Sequence, residues 1–324
     1  MSDKKKVFIL GAGPVGLICG WLLSLKNWDV KVFEMKNSVG GMCRSWRWKS
    51  HILDTGPHIF HTSDKGLIKF WKKNFSELLQ TGKFYSRNVI NKNFSESYAY
   101  PLSYEAIKKY PSKLKNKIFN ELKETNKNLE ARNFKEFVEN QVGETLTSMF
   151  FEGYPKKVWG ISTKRMTADW APKRIKITKK TEPFFQKEFT AVGKKGTGAV
   201  YEKIAKKLVK SGGKIYLNSK VSNIDYNEKY ITDILVNDKT KFNVNDKDII
   251  ISTLPITHTA AMLGFKSDLR FRGIRSIYVS LNKKRVLPKN TNWLYFADKG
   301  IIFNRVSEPP TMCSNLTSAG KTYI

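Results

Sequence analysis

Cysteine and histidine are both scarce in this sequence. Its 324 residues include three cysteines and four histidines. The cysteines lie far apart and form neither a CxxC pair nor a zinc-binding spacing. This scarcity excludes a disulfide framework of the kind that small secreted domains use. We therefore expect a reduced, cytoplasmic protein without a metal site; the cysteines are Cys19, Cys43 and Cys313.

Long uninterrupted apolar runs are also missing. The stretch VFILGAGPVGLICGWLL near the N-terminus is broken by glycines, so it lacks the apolar pattern of a signal peptide. A transmembrane helix needs about 20 consecutive apolar residues, and no segment approaches that length. Hydrophobic residues nevertheless make up 40% of the chain and aromatic residues 13%. That composition excludes general disorder, and the length suits about two domains.

Acidic residues are outnumbered, with 28 against 58 basic ones and a net charge of +30. Such an excess is compatible with nucleic acid, an acidic membrane surface or an anionic ligand as partner. The lysines are scattered along the chain, and no pattern of a nucleic-acid-binding module is present. We predict no nucleic-acid partner and keep weak peripheral membrane contact as a minor alternative. The segment Lys164–Lys180 is the one denser basic stretch that we single out.

The N-terminal segment has the pattern of a dinucleotide-binding βαβ unit. The apolar run VFIL predicts a strand, which GAGPVG links to a helix-like segment and then to the strand-like DVKVFE. Gly11 permits a tight turn, Gly13 a close approach to pyrophosphate, and Gly16 close packing of helix on strand. The helix N-terminus attracts the anion, and Glu34 is placed to bind the adenosine ribose. A ligand-free glycine turn is the structural alternative.

A second glycine-containing element distinguishes FAD from NAD. In GGMCRS, the residues Gly40, Gly41 and Arg44 follow the ribose-binding acid. This element resembles the GG-x-x-R-S of FAD proteins in the amine oxidase, protoporphyrinogen oxidase and UDP-galactopyranose mutase superfamily. The resemblance implies FAD, with the glycine amides and the arginine on its pyrophosphate. It also implies a backbone contact between Val221 and the adenine, although Val221 reads equally well as a core valine.

The rest of the chain alternates between helical and β-rich patterns. The resemblance implies an α/β fold, a Rossmann-type FAD-binding domain with a helical insert and a β-rich substrate domain. Further helices are predicted over Lys65–Leu79, most of Ser103–Gly153, and Thr197–Ser211. Late strands are predicted at Arg275–Leu281, Asn292–Phe296 and Ile301–Val306. We divide the chain into the first part of the FAD core, a helical insert, the second part of the core and a β-rich segment: 1–100, 101–190, 191–265 and 266–324.

The stretch DTGPHIFHT places His58 and His61 three residues apart in an apolar context. Its residues suit a metal site, an acid/base pair, a cofactor-pocket wall or a hydrogen-bonded turn. A metal site lacks an obvious third ligand. The stretch resembles the GxHIFHT segment of UDP-galactopyranose mutases, which implies a flavin-facing loop that bends at Gly56 and approaches the ring at His58. His61 then becomes a catalytic candidate that tunes the flavin through a hydrogen bond.

Two downstream segments resemble the nucleotide-sugar site of the same mutases. EGYPKKVWG is similar to their Y-x-x-K-x-W-G element, which implies uridine binding by Trp159 with Tyr154 beside it. PKRIKI resembles their K-R-I segment, which implies that Arg174 binds the diphosphate and acts in catalysis. An aromatic ring can stack on a base, and arginine can form two parallel hydrogen bonds to a phosphate. The alternative is a buried tryptophan beside a solvated charged face.

Three functions follow from these resemblances. One is a mutase-like flavoenzyme in which reduced flavin attacks the sugar of a nucleotide sugar. Another is a flavin oxidoreductase that abstracts hydride, favoured by the segment 292–308, which resembles amine and protoporphyrinogen oxidases more than the mutases. A third is a non-catalytic remnant, because the chain ends at GKTYI, before the Gly-Asp flavin element of the superfamily. We therefore expect a C-terminally truncated member of this group.

Overall fold

The computed structural model describes residues 5–91, 96–170 and 175–324, except for the side chain of Trp170. The chain divides into two compact units, and each is discontinuous in sequence. Unit 1 consists of Met1–Ile59, Lys69–Gln80 and Val192–Ser276, and unit 2 of Phe60–Ile68, Thr81–Ala191 and Ile277–Ile324.

The secondary structure of the described residues follows, in chain order. The strands are β1 (Lys6–Leu10), β2 (Asp29–Phe33), β3 (Ser45–Trp48), β4 (His51–Asp54), β5 (Phe60–Thr62), β6 (Leu79–Thr81), β7 (Ser86–Val89), β8 (Ser97–Tyr100), β9 (Phe189–Gly193), β10 (Lys214–Tyr216), β11 (Val221–Tyr226), β12 (Ile231–Val236), β13 (Thr240–Asn243), β14 (Ile249–Ser252), β15 (Ser280–Leu281), β16 (Trp293–Phe296), β17 (Arg305–Ser307) and β18 (Thr322–Tyr323). The α-helices are α1 (Pro14–Ser24), α2 (Lys65–Phe75), α3 (Tyr104–Ile107), α4 (Ser112–Glu124), α5 (Phe134–Leu146), α6 (Gly153–Trp159), α7 (Gly198–Lys210) and α8 (Ile256–Met262).

Unit 1 is built on a parallel sheet in the order β10-β2-β1-β14. Its strands are short and rich in valine and isoleucine, and β1 is buried over its last four residues. Such apolar runs are typical of parallel strands that are covered on both faces. Parallel pairing places the carboxyl ends of all four strands at one edge, where open α/β sheets bind ligands.

A second, antiparallel sheet in the order β11-β12-β13 completes the core of unit 1. Phe8 and Phe33 from the parallel sheet share one hydrophobic cluster with Ile224 and Ile234. The Phe33 ring meets Phe242 edge-on, with 4.7 Å between ring centroids. The two sheets therefore bury their apolar faces together, which anchors the strands that end at the candidate site.

Unit 2 combines a mixed sheet with a helical layer. The sheet runs β17-β16-β7-β8, with β16 and β7 parallel and the outer pairs antiparallel. Helices α4 and α5, with a π-helical segment at Thr147–Glu152, supply much of a buried cluster that includes Ile118, Val138 and Leu146. Strands β5 and β9 pair antiparallel in a separate sheet, with His61 opposite Thr190.

Two of the late strand predictions are largely wrong. Within Arg275–Leu281 only Ser280–Leu281 is a strand, and Arg305–Ser307 replaces the predicted Ile301–Val306. A strand forms where a neighbouring chain accepts its backbone hydrogen bonds. In the described part of the chain, backbone pairing starts only at Val279, which exchanges hydrogen bonds with Ile324. No helix in the described ranges is long and apolar enough to cross a bilayer.

Two glycines of the first loop should differ sharply in their tolerance of a methyl group. A Cβ at Gly16 would lie 2.0 Å from the carbonyl oxygen of Gly11, so Gly16→Ala should lower the free energy of unfolding by about 3 kcal/mol or more. Gly13 has φ −72°, and a Cβ there would meet no heavy atom within 4 Å, so Gly13→Ala should leave the ligand-free stability unchanged. Denaturant unfolding checks both variants; equal destabilisation would contradict this account.

Candidate functional site

The first glycine loop follows β1 at the carboxyl edge of the parallel sheet. Gly11 has φ +104°, in the region that favours glycine, and its amide donates to the carbonyl of Phe33 at 2.8 Å. The hydroxyl of Thr253, just after β14, donates to the carbonyl of Leu10 at 2.9 Å. The loop is therefore held between the ends of β2 and β14. Thr253 had no motif in the sequence to mark it.

The second glycine loop lies directly against the first. The amide of Gly40 donates to the carbonyl of Ala12 at 2.8 Å. A Cβ at Gly41 would lie 3.1 Å from the Cα of Gly13, and Gly41 has φ +53°. The GAGPVG and GGMCRS motifs, separate in sequence, thus form one backbone surface in unit 1.

The N-terminus of α1 opens onto this surface without a cap from the protein. Its N-cap is Gly13, no side chain caps it, and Pro14 occupies the first turn, which holds no acidic residue. Gly13 has an ordinary backbone conformation, and no described atom lies within 4 Å of its absent Cβ. The protein itself therefore does not require glycine at this position. Open space beside an uncapped helix N-terminus fits a pyrophosphate.

Glu34 follows β2 and is almost fully buried, with 8% of its surface exposed. One carboxylate oxygen accepts from the amide of Ala12 at 3.0 Å and the other from the amide of Lys36 at 2.9 Å. A carboxylate has about four acceptor positions, so capacity remains for ribose hydroxyls. Glu34 thus has a structural bond to the first loop in addition to the ribose contact that the sequence predicts.

Val221 begins β11, shortly after a segment that is bonded to Glu34. The amide of Ser219 donates to the carbonyl of Glu34 at 2.8 Å. The side chain of Val221 packs against the hydrophobic cluster of unit 1. Its side chain therefore serves as a core valine, while its backbone contact with adenine stays a prediction.

Arg44 ends the second glycine loop, and its backbone is tied to the DTG segment. Its carbonyl accepts from the amide of Thr55 at 3.3 Å. Within the described ranges, no hydrogen bond or ion pair engages its guanidinium group. An arginine whose guanidinium group has no carboxylate partner in the protein suits a phosphate ligand.

His58 has a buried polar atom that the protein does not satisfy. Its Nδ1 finds no hydrogen-bond partner among the described residues. Two residues earlier, a Cβ at Gly56 would have no heavy atom of a described residue within 4 Å. An unpaired buried polar atom costs about 1–3 kcal/mol, so a bound group that pairs with it is favoured. Both features fit the cofactor-facing loop that the sequence predicts.

His61 belongs to unit 2 and is part of a defined pair. Its Nδ1 lies 2.6 Å from a carboxylate oxygen of Glu188, and its ring stacks on Phe185 with 4.1 Å between centroids. The register of β5 on β9 sets this pair, because His61 is opposite Thr190 and side chains two residues apart share a face. The imidazole therefore has one nitrogen bound to a carboxylate and the other left for a different partner. Glu188 had no motif in the sequence.

Two of the predicted substrate-binding residues, Tyr154 and Trp159, share helix α6 in unit 2. Tyr154 meets Tyr295 edge-on with 4.7 Å between centroids, and burial raises the pKa of Tyr154. Trp159 ends the helix and has 37% of its surface exposed. Arg174, predicted to bind the diphosphate, lies outside the described residues. The structure thus places Tyr154 and Trp159 on one helix of seven residues.

Lys157, the lysine of the Y-x-x-K-x-W-G element, fixes this helix to the end of β16. Its Nζ donates to the carbonyls of Phe296 at 3.1 Å, Asp298 at 3.0 Å and Phe303 at 2.7 Å. Burial lowers the pKa of Lys157, and the nearby Asp298 opposes that shift. The lysine of the motif thus has a structural role that its spacing did not reveal.

Removing the Lys157 ammonium should loosen this attachment. Lys157→Met keeps most of the aliphatic stem but leaves three carbonyls without their donor, so we expect unfolding to become easier by about 1–3 kcal/mol. Lys156→Met is the matched control, because its side chain is exposed. Thermal and denaturant unfolding of both variants measure the difference. Equal stability of the two variants would show that the three hydrogen bonds contribute nothing net.

Comparison with known proteins agrees with this geometry. The chain is 30% identical to dTDP-fucopyranose mutase of Escherichia coli over 172 residues. This matched region covers 50% of this chain and 44% of the relative. It is 24% identical over 213 residues to a probable UDP-galactopyranose mutase of Klebsiella pneumoniae, covering 63% and 53%. An L-amino-acid oxidase of Crotalus adamanteus matches over 94 residues at 29% identity, covering 27% and 18%. The chain spans about half the length of the two mutases.

The fold has solved counterparts, and a family profile spans most of the chain. The crystal structure of a reduced UDP-galactopyranose mutase superposes with a TM-score of 0.78 at 19% identity, covering 99% of this chain and 73% of that one. The predicted fold class is thereby confirmed. The profile of the family described as flavin containing amine oxidoreductase matches residues 16–311. This chain therefore belongs to the flavin-containing amine oxidoreductase family, whose members include oxidases and mutases.

Proposed function

We propose that unit 1 binds FAD and that the chain is a flavoenzyme acting on a nucleotide sugar, in the manner of a UDP-galactopyranose mutase. The observation that supports FAD most strongly is the joined pair of glycine loops. Gly13 leaves open space beside an uncapped helix N-terminus, and the unneutralised Arg44 belongs to the adjoining loop. NAD-binding folds share the first loop, whereas the attached GG-x-x-R-S loop resembles that of FAD proteins.

In this proposal different residues of unit 1 bind different parts of FAD. Glu34 accepts hydrogen bonds from the ribose hydroxyls, and the backbone at Val221 contacts the adenine. The amides at Gly13 and Gly41 and the guanidinium of Arg44 neutralise the pyrophosphate. Nδ1 of His58 bonds a polar edge of the ring system. When bound, the flavin supplies either a nucleophilic nitrogen or a hydride acceptor, according to its redox state.

The nucleotide-sugar assignment rests on helix α6 of unit 2 and on the relatives. Tyr154 and Trp159 present aromatic rings for the base, and Lys157 holds their helix in place. Arg174 binds the diphosphate in this proposal and stabilises it as it departs. Both mutases matched above are named for nucleotide sugars. His61, oriented by Glu188, keeps its Nε2 available for a hydrogen bond to a ligand.

An amine-oxidase-like oxidoreductase is the second candidate. Unit 2 contains a cluster of aromatic rings in which Phe184 contacts Trp293 at 5.1 Å and Tyr100 at 5.8 Å between centroids. Burial raises the pKa of Tyr295 within the same cluster. An apolar aromatic environment suits hydride abstraction from an amine or a lipid-like substrate, and the matched protein of Crotalus adamanteus is by name an L-amino-acid oxidase.

FAD binding should depend on the space beside Gly13. Gly13→Ala places a methyl group where the pyrophosphate is proposed to lie, so its FAD dissociation constant should rise at least about tenfold, equivalent to about 1.4 kcal/mol. This change is measured by titrating the ligand-free protein with FAD and monitoring the visible flavin spectrum. Gly273→Ala is the control, because its Cβ also meets open space. Failure of the native chain to bind FAD would overturn both enzyme proposals.

UDP affinity separates the two enzyme candidates. We expect UDP to bind the reduced, FAD-loaded chain, and Arg174→Ala to weaken that binding by about 1–3 kcal/mol through loss of a charged hydrogen bond. Arg165→Ala, an exposed arginine of the same basic stretch, should leave the affinity unchanged. Calorimetric titration measures all three proteins. Flavin binding without UDP binding would contradict the mutase-like proposal and favour the oxidoreductase.

A further inference from the structure

Asp54 is the first residue of the DTGPHIFHT stretch, and its carboxylate joins three parts of unit 1. One oxygen accepts from the hydroxyl of Ser45 and from the amide of Thr197 at 3.1 Å. The other accepts from the hydroxyl of Thr197 at 2.7 Å and from the same amide at 3.2 Å. The joined parts are the end of the second glycine loop, the DTG segment itself and the N-terminus of α7.

The backbone near this carboxylate leaves no room for a side chain at Gly196 or Gly198. A Cβ at Gly196 would lie 2.3 Å from the hydroxyl oxygen of Ser45 and 2.8 Å from a carboxylate oxygen of Asp54. A Cβ at Gly198 would lie 2.4 Å from the amide nitrogen of Ser45. The amide of Gly198 donates to the Ser45 hydroxyl at 2.7 Å. The glycines of the KKGTG sequence therefore bring the start of α7 against the residue that follows Arg44.

The two long helices of unit 1 use their N-termini differently. The amide of Thr197, the N-cap of α7, is bonded to Asp54, and the amide of Gly198, the first residue of α7, is bonded to Ser45. The Asp54 carboxylate therefore lies near the positive end of the dipole of α7. Among the described residues, no side chain caps the N-terminus of α1, and the nearby Glu34 carboxylate bonds the amide of Ala12, which precedes the helix. The protein thus supplies its own anion to α7 and leaves α1 uncapped. The N-terminus of α7 therefore holds the loop that contains Arg44, whereas the N-terminus of α1 is left for the ligand.

We propose that Asp54 is a positioning residue for FAD, because it fixes the segment of Arg44 and the segment of Gly56 and His58 in one arrangement at the start of α7. The inference rests on the proposed FAD binding. Asp54 does not touch the cofactor in this scheme. Its effect passes through Ser45 to Arg44 on one side and along the chain to His58 on the other.

This arrangement separates two portions of the cofactor. The adenosine portion is assigned to Glu34 and the backbone at Val221, and neither is bonded to Asp54 in the structure. The pyrophosphate and ring portions are assigned to Arg44 and to the Gly56–His58 segment. Loss of the Asp54 carboxylate should therefore weaken binding of FAD while leaving AMP binding intact. A defect in overall folding would instead weaken both ligands alike.

The test compares FAD and AMP affinities of the full chain with Asp54 and without it. Asp54→Asn retains the side-chain volume but removes the charge, and we expect an FAD dissociation constant at least about tenfold higher with AMP affinity unchanged. Thr197→Val, which deletes one donor to the carboxylate, should act in the same direction. Thr197→Ser keeps the hydroxyl and should restore FAD affinity. Asp248→Asn, which also removes a carboxylate that accepts a backbone amide, is the control.

Each outcome decides the matter. FAD affinity of Asp54→Asn equal to that of the native chain would overturn the positioning role while FAD binding stands. Equal losses of FAD and AMP affinity would assign Asp54 to general stability and likewise overturn it. If Asp54→Asn does not fold, the Thr197→Val and Thr197→Ser pair gives the same comparison. Failure of the native chain to bind FAD would overturn the proposed function itself.

Discussion

The close contact of backbone with backbone at the glycine loops is the constraint on which the rest of unit 1 depends. At Gly16 a methyl group would lie 2.0 Å from the Gly11 carbonyl oxygen, and at Gly41 it would lie 3.1 Å from the Cα of Gly13. These approaches bring α1 onto β1 and bring the second loop onto the first. Together the two loops then form one backbone surface. Glu34 closes that surface by bonding the amide of Ala12.

Unit 1 distributes charge and hydrogen-bond donors unevenly around this surface. Glu34 and Asp54 are carboxylates held by backbone amides, and burial raises the pKa of Asp54 while bonds from Ser45 and Thr197 lower it. Arg44 and the N-terminus of α1 have no comparable partner among the described residues. Both carboxylates are therefore hydrogen-bonded within the protein, whereas the guanidinium group of Arg44 and the N-terminus of α1 are left for a ligand. An anionic dinucleotide matches that imbalance.

In unit 2, the register of a sheet fixes the position of a candidate side chain. The pairing of β5 with β9 brings Glu188 to Nδ1 of His61, and Phe185 covers the ring. Lys157 binds three carbonyls at the end of β16 and beyond it, and so orients the helix of Tyr154 and Trp159. In both places a charged side chain serves as a support for the residues that resemble a family motif. Such supports have no short sequence pattern of their own.

The sequence by itself determined the features that depend on neighbours along the chain. The spacing of Gly11, Gly13 and Gly16, the acid at Glu34 and the GGMCRS element predicted the βαβ unit and its second loop, because each is a local requirement of a turn or helix start. The same local logic failed at Arg275–Leu281, where no backbone of the described residues pairs with the segment before Val279. The predicted strand there needed a partner that periodicity does not supply.

Only the tertiary structure decided which distant residues support the site. Asp54 meets Thr197 across 143 positions of sequence, and His61 meets Glu188 across 127. No spacing rule connects residues so far apart; sheet order and helix packing bring them together. The sequence marked DTGPHIFHT for its histidines. The fold shows that its aspartate organises one unit and its second histidine belongs to a pair in the other, because a carboxylate acts through whichever donors the folded chain brings within reach.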